Sequence, residues 1–232
     1  MHITIAGNIG SGKSTLTRML AHHYGWEPMY EVVVENPYLE DYYKDIGRWS
    51  FNMEVFFLKQ RFIELLNIAN STGTVIQDRS LYEGVYVFVK NNYVQGNLSK
   101  RDYQTFMSLF EQIIGLVPMP DLIIYLRASL SHLFSNIQKR GRECEQSIRI
   151  DYLQGLNEQY EEFIGKHYKG RVLIIDKDPL DFEHNPLDFR SITDRIDQQL
   201  FGLFDPLPSS REGLSTLLNA TRTPRGGESS NK

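Results

Sequence analysis

The sequence predicts an α/β fold in which a parallel sheet of five strands is covered by helices on both faces. Three observations predict it. A short apolar run, His2-Ile3-Thr4-Ile5-Ala6, passes directly into Gly7-Asn8-Ile9-Gly10-Ser11-Gly12-Lys13-Ser14, which fits the phosphate-cradling pattern G-x-x-x-x-G-K-[ST], and then into a helical stretch. Further short apolar runs recur, separated by helical stretches, and this alternation describes parallel strands buried on both faces. Asp78-Arg79-Ser80 directly follows the third run, at the strand end where open α/β sheets place their ligands.

The elements follow in order. Ser14 to Tyr24 reads as a helix with Leu16, Met19 and Leu20 on one apolar face. Met29 to Val34 reads as the second strand, broken at Asn36-Pro37 and followed by a short helix. Trp49 to Ala69 is too long and too apolar for a strand and reads as a long, largely buried helix ended by Gly73. Thr74 to Gln77 is the third strand. Leu81 to Tyr93 and Lys100 to Leu116 read as helices separated by the Gln95-Gly96-Asn97 turn and ended by Pro118 and Pro120. Leu122 to Leu126 is the fourth strand, with a helix from Leu130 to Lys139 behind it. A helix over Ile150 to Tyr168, a fifth strand over Arg171 to Ile175 and a helix over Phe189 to Phe201 complete residues 1–204, read as one domain. The 205–232 segment turns to Pro, Ser, Gly, Thr and Arg and is expected to be a disordered tail.

Composition narrows the functions. Hydrophobic residues at 41% suffice for a sizeable core, and the net charge of −4 argues against nucleic acid as the main partner. Cys144 is the only cysteine, which excludes a disulfide framework and a multi-cysteine zinc site. The chain passes directly into its first strand without a charged leader, and no apolar stretch reaches about 18 residues, so a soluble, cytoplasmic protein with no membrane contact is expected.

The glycines of the loop let successive N–H groups and a helix N-terminus point at one anion, with Lys13 adding a full charge. A nucleoside triphosphate is the expected ligand, and Gly7 to Ser14 with Thr15 are its expected contacts. The guanine-reading N-K-x-D and the switch D-x-x-G are missing at the required spacings, which sets aside a GTP switch. Glu31, at the end of the second strand, is placed to take a proton from an acceptor hydroxyl, or is a surface acid. Asp78 and Arg79 either hold magnesium and fix an acceptor or phosphate, or form an ordinary ion pair. Arg140 and Arg142 flank Gly141, which suits a mobile loop carrying guanidinium groups to a transferring phosphoryl, or a solvated basic turn. Nothing local marks Cys144 as a nucleophile.

From Met1 to Phe204 these residues resemble the deoxynucleoside kinases. The resemblance is carried by Gly7 to Ser14, by Glu31-Val32-Val33 where the family has E-P-V, and by Tyr43 ahead of Arg48-Trp49-Ser50-Phe51. Asp78-Arg79-Ser80 stands where many members have E-R-S, and Lys139 to Glu145 where the family has R-G-R-x-x-E. The resemblance implies a P-loop kinase fold with an arginine-containing lid. It implies transfer of the γ-phosphoryl of ATP, with Mg²⁺, to the 5′-hydroxyl of a small-molecule deoxynucleoside, in a homodimer. Glu31 is then the general base, Arg79 holds the hydroxyl and that base, and Tyr43 and Glu145 bind the sugar 3′-hydroxyl. Lys13, Arg140 and Arg142 stabilise the γ-phosphoryl, Ser14 and Asp78 organise magnesium, and Asp181-Phe182 lies near the donor adenine.

Two positions depart from the family. Glu54 stands where a glutamine usually reads the base edge, and Gly84 where an aspartate is common. Glu54 lies seven residues before Arg61, so both project from one face of the long helix toward the acceptor pocket. A carboxylate only accepts hydrogen bonds, which favours guanine and a purine-leaning enzyme. The alternatives are a nucleoside monophosphate kinase of the thymidylate type and a non-catalytic nucleotide-binding subunit.

Overall fold

A computed structural model describes residues 1–30, 36–142, 145 and 148–202. Glu31, Cys144 and the 205–232 segment lie outside the described residues. Five strands form one parallel sheet: β1 (His2–Gly7), β2 (Glu27–Met29), β3 (Val75–Asp78), β4 (Leu122–Arg127) and β5 (Val172–Asp176). Their order across the sheet is β2-β3-β1-β4-β5, so β1 is central and the chain moves first to one side of it and then to the other. That reversal puts the end of β1 at the crevice where open sheets bind ligands.

Each strand of the sheet interior feeds two cores. Leu122, Ile124 and Leu126 of β4 join Ile3 and Ile5 of β1 in one cluster, against Leu16 and Leu20 of α1 (Lys13–Tyr24). Ile192 and Ile196 of the last helix, Pro186–Phe201, complete that side. Ile123 and Tyr125 point the other way, into a cluster with Leu65, Leu81, Val85 and Tyr160. The alternation along one strand follows from the period of two, and burial on both faces explains the unbroken apolar runs.

Several boundaries differ from the sequence reading. The described second strand is Glu27–Met29, so it begins two residues before Met29; the rest of the expected Met29 to Val34 run, from Glu31 to Val34, lies outside the described residues. Among the described residues the strand pairs only with β3, and Pro28, which has no N–H to give a ladder, is tolerated because β2 is an edge. After α2 (Leu39–Lys44), the long helix α3 runs Ile46–Asn70, starting earlier than Trp49 because the Asp45 side chain accepts the Arg48 N–H as an N-cap. It ends before Gly73. The helix after β3, α4, spans 81–94 but opens into a wider π-helical turn over Gly84–Val89, a register that apolar periodicity does not reveal.

α5 (Lys100–Ile114) and α6 (Leu130–Arg140) follow, and α7 (Ile150–Glu162) passes into a second π-helical turn, Phe163–His167, rather than continuing as an α-helix to Tyr168. The last helix, α8, begins at Pro186 rather than Phe189, with Asn185 accepting the Leu187 N–H and proline in the first turn. Among the described residues no helix is long and apolar enough to cross a membrane.

Candidate active site

β1 ends at Gly7, and the chain then turns under the N-terminus of α1. Gly10 and Gly12 adopt φ of 84° and 93°, and a β-carbon on Gly10 would stand 2.6 Å from the Leu133 carbonyl of α6. Only glycine fits there. Gly12 caps α1 without a side-chain hydrogen bond, so the helix presents its first N–H groups to the crevice. The loop is riveted from behind. Asn8 Nδ2 donates to Leu153 O at 2.9 Å and to Asn157 Oδ1 at 2.6 Å, and Asn136 Nδ2 donates to Gly10 O at 2.8 Å. Lys13, itself buried, donates to Asn8 O at 2.9 Å.

Ser14 Oγ donates to Asp78 Oδ2, while Asp78 Oδ1 is buried without a hydrogen-bond partner. Asp78 sits level with Ile5 of β1, which is how two segments distant in sequence bring these oxygens together. Thr15, half-buried in the first turn of α1, follows Ser14. Arg79 has φ 74°, the only positive value at a non-glycine among the described residues. Such a conformation costs roughly 1–3 kcal/mol and persists where the surroundings enforce it. Here the Arg79 N–H bonds Ile5 O at 3.1 Å and the guanidinium lies 4.2 Å over the Phe88 ring.

These groups open onto a cavity of about 320 Å³. Lys13, Ser14, Asp78, Arg79, Tyr43, Glu54, Phe57 and Arg61 line it, together with Arg140, Arg142 and Glu145. The structure therefore gathers most of the residues that the sequence singled out. Arg140 donates to Glu145 Oε2 from Nε at 3.0 Å and from Nη2 at 2.6 Å, and Arg142 Nη1 lies 3.4 Å from Oε1. Gly141, at φ 65°, closes α6 between the two arginines. Arg61 is buried against Phe57, and a β-carbon on Gly84 would stand 2.7 Å from its Nη1.

Asp181 and Phe182 are placed differently. Asp181 is exposed, its carboxylate held low by His184, and it does not line the cavity. Phe182 is buried in the α1 and α8 core, 3.4 Å from where a β-carbon on Gly12 would stand.

Sequence reasoning passed over a second layer. Tyr152 and Tyr42 hydroxyls are 3.3 Å apart, Tyr42 donates to Asn92 Oδ1 at 3.1 Å, and Asn92 Nδ2 donates to Glu54 Oε1 at 2.9 Å. Burial first, and the Glu54 charge second, push the Tyr42 phenol up to about 12. No local motif announces this chain, because its members come from α2, α3, α4 and α7. Glu83 was also missed, although Ser80-Leu81-Tyr82-Glu83 carries the S-x-x-E capping-box signature, which the structure forms. Burial raises the Glu83 carboxyl above its usual range, and the neighbouring Arg79 charge opposes that rise.

Comparison with known proteins agrees with this geometry. The family model for deoxynucleoside kinase matches residues 3–201. The chain is 38% identical over 196 residues to the deoxyadenosine/deoxycytidine kinase of Bacillus subtilis, covering 84% of this chain and 90% of that one. It is 34% identical over 202 residues to the deoxyguanosine kinase of the same organism, covering 84% and 95%. A solved structure of deoxyadenosine kinase from M. mycoides with dCMP and a flexible dCDP superposes with a TM-score of 0.77 at 34% identity, covering 85% of this chain and 100% of that one. With the phosphate loop, the Asp78-Arg79 turn and the arginine lid around one cavity, and with matches spanning nearly the whole described body, this chain belongs to the deoxynucleoside kinase family.

Proposed function

We propose a division of labour in this kinase and a preference for purine deoxynucleosides, deoxyguanosine first. The enzyme moves the γ-phosphoryl of a nucleoside triphosphate onto the 5′-hydroxyl of a deoxynucleoside. Glu31 takes the proton from that hydroxyl, and Arg79, held over the Phe88 ring in its left-handed turn, orients the hydroxyl and its base. Tyr43 and Glu145 bind the 3′-hydroxyl. Lys13, Arg140 and Arg142 meet the negative charge that develops on the phosphoryl oxygens, where fixed cations in a dry site act most strongly. The Arg140–Glu145 contact couples closure of the lid to the sugar, since one carboxylate serves both. Asp181-Phe182 stays assigned to the donor side, with Phe182 acting from behind Gly12.

The Ser14 hydroxyl and the Asp78 carboxylate, whose Oδ1 is buried without a partner, form an all-oxygen pair that suits a hard cation. When bound, Mg²⁺ supplies charge neutralisation between the phosphates. Ser14 and Asp78 would hold it, directly or through water.

The observation that carries the base preference is the buried Glu54, fixed by Asn92 and lining the same cavity as Arg61. Guanine presents N1–H and N2–H₂ to a carboxylate and O6 to an arginine, whereas adenine and cytosine turn a ring-nitrogen acceptor toward it. Assay of kcat/KM with ATP against the four deoxynucleosides and the corresponding monophosphates tests the reading. Deoxyguanosine ranking first and monophosphates showing no turnover are expected, and a pyrimidine ranking first refutes it. A homodimer is also proposed. α3 and α5 pack on each other and expose Ile63, Leu66 and Leu109, and light scattering at assay concentration gives the mass.

A further inference from the structure

Glu83 has no exposed surface and does not line the cavity, yet its two oxygens make four polar contacts. Oε1 accepts from Gly7 N–H at 3.2 Å and lies 2.8 Å from the Tyr160 hydroxyl, whose one proton serves either it or Gly7 O, and Oε2 accepts from Ser80 N–H at 2.8 Å and Ser80 Oγ at 3.1 Å. Both carboxyl oxygens are engaged. A helix cap needs only the Ser80 contacts. The contacts to Gly7 and Tyr160 reach beyond the helix, to the first residue of the phosphate loop.

Gly7 and Ser80 are the places where two functional segments leave the sheet. The bonding between β1 and β3 closes with Arg79 N–H on Ile5 O. Past that rung the chains diverge, one into the phosphate loop and the other through the left-handed Arg79. Glu83 ties both immediately beyond the divergence. Tyr160 adds a third anchor, its hydroxyl 2.6 Å from Gly7 O, which links the assembly to α7 behind the lid. We propose that Glu83, with Tyr160, is a positioning residue for phosphoryl transfer: through Gly7 and Ser80 it sets the spacing between the phosphate loop and the Arg79 turn. Misplacement of reacting groups by about 1 Å can cost on the order of 10²-fold in rate, so a fixed spacing has kinetic consequences. The inference rests on the reading of Lys13 and Arg79 as phosphate-binding and acceptor-binding groups.

Glu83→Gln keeps the shape but places an amide donor against one of the N–H groups. Tyr160→Phe keeps the ring stacked on Tyr125, at 5.5 Å between centroids, and removes only the hydroxyl. Tyr168→Phe is the matched control, because its buried hydroxyl donates to Pro120 O at 3.1 Å, ahead of β4 and at the opposite end of the strands from the phosphate loop. In steady-state assays well below each melting temperature, Glu83→Gln is expected to lower kcat at least tenfold and to raise KM for both ATP and deoxynucleoside. Tyr160→Phe, which leaves Ser80 and Glu83 joined, should raise KM for ATP at least threefold and change acceptor KM less. Tyr168→Phe should lower the melting temperature alone. If Glu83→Gln and Tyr160→Phe lower the melting temperature while kcat and both KM values stay within twofold, the role is structural and the proposal is overturned. Should Glu83→Gln fail to fold, the ATP KM of Tyr160→Phe decides on the same threshold. Arg79→Ala in the same assay separates the layers. Impaired Arg79→Ala with normal Glu83→Gln overturns the positioning role alone, and normal Arg79→Ala overturns the site reading and this proposal with it.

Discussion

The guanidinium of Arg61 occupies the space beside Gly84: a β-carbon there would stand 2.7 Å from Nη1. The glycine at 84 and the arginine at 61 therefore act as a unit. Gly84→Ala should raise the KM for deoxynucleoside about tenfold, because the displaced guanidinium is buried and has little room, while KM for ATP is unchanged. The helix-propensity gain of alanine, up to about 1 kcal/mol, offsets only part of the roughly 1–3 kcal/mol cost of overpacking, so the melting temperature should fall modestly. Steady-state kinetics and a thermal melt on the same preparation check both halves.

Glu54→Gln should shift preference toward deoxyadenosine or deoxycytidine. Asn92 Nδ2 donates to the residue at 54, so the glutamine carbonyl oxygen would take that bond and its amide would offer a donor to the base. Ranking kcat/KM for the four deoxynucleosides in both proteins checks it, and an unchanged ranking removes Glu54 from base reading.

Glu31→Gln should keep nucleotide binding and lower kcat by roughly 10²–10⁴, the span of a lost general base. Near-normal turnover would remove Glu31 from that role.

Lys13→Ala should abolish turnover, whereas Arg140→Ala and Arg142→Ala should lower kcat more than they raise acceptor KM. Because both arginines hold Glu145, an effect confined to acceptor KM would instead assign them to the sugar.

His2 gives a pH signature. Burial lowers its pKa from the ordinary 6.5 to about 4, and the cause is visible: Nε2 pairs with Gln77 Oε1 at 3.0 Å, while the buried Nδ1 has no acceptor for a second proton. The unfolded chain takes up a proton below 6.5 that the folded chain refuses until about 4, so this group's contribution is complete above 6.5 and is lost as pH falls across that window. The loss amounts to about 3 kcal/mol. His2→Gln should flatten the stability curve between these limits in urea titrations at stepped pH, and an unchanged slope would show that other groups set it.

The order of strands and helices was legible because apolar runs and capping residues are local. The phosphate loop, the Asp78-Arg79 turn and the arginine pair were legible for the same reason: each is a short contiguous pattern. What local pattern cannot carry is register within a helix and contact between helices. The wide turn at Gly84–Val89, which sets Gly84 against Arg61 and Phe88 against Arg79, has no periodicity of its own. The Tyr152–Tyr42–Asn92–Glu54 chain draws on four helices. Glu83 was within reach, since Ser80-x-x-Glu83 is a readable cap, but nothing in the sequence said that the cap also bonds Gly7. The second strand begins at Glu27 rather than Met29, because Pro28 hid its start from a reading by apolar run and propensity.

β1 is the central strand and precedes all its partners in the chain. The His2 N–H finds the Asp121 carboxylate 119 residues later, and Ile3 pairs with Leu122. During synthesis the first-made strand must therefore wait, unpaired on one flank, until β4 has left the ribosome. Contacts of such sequence separation make folding slow relative to helical proteins of similar size. The same wait governs the phosphate loop, whose rear supports, Asn136, Leu153 and Asn157, all lie beyond β4. Nucleotide can thus act as a stabilising ligand only on nearly complete chains, and fragments ending before α7 should be the aggregation-prone species in any interrupted synthesis.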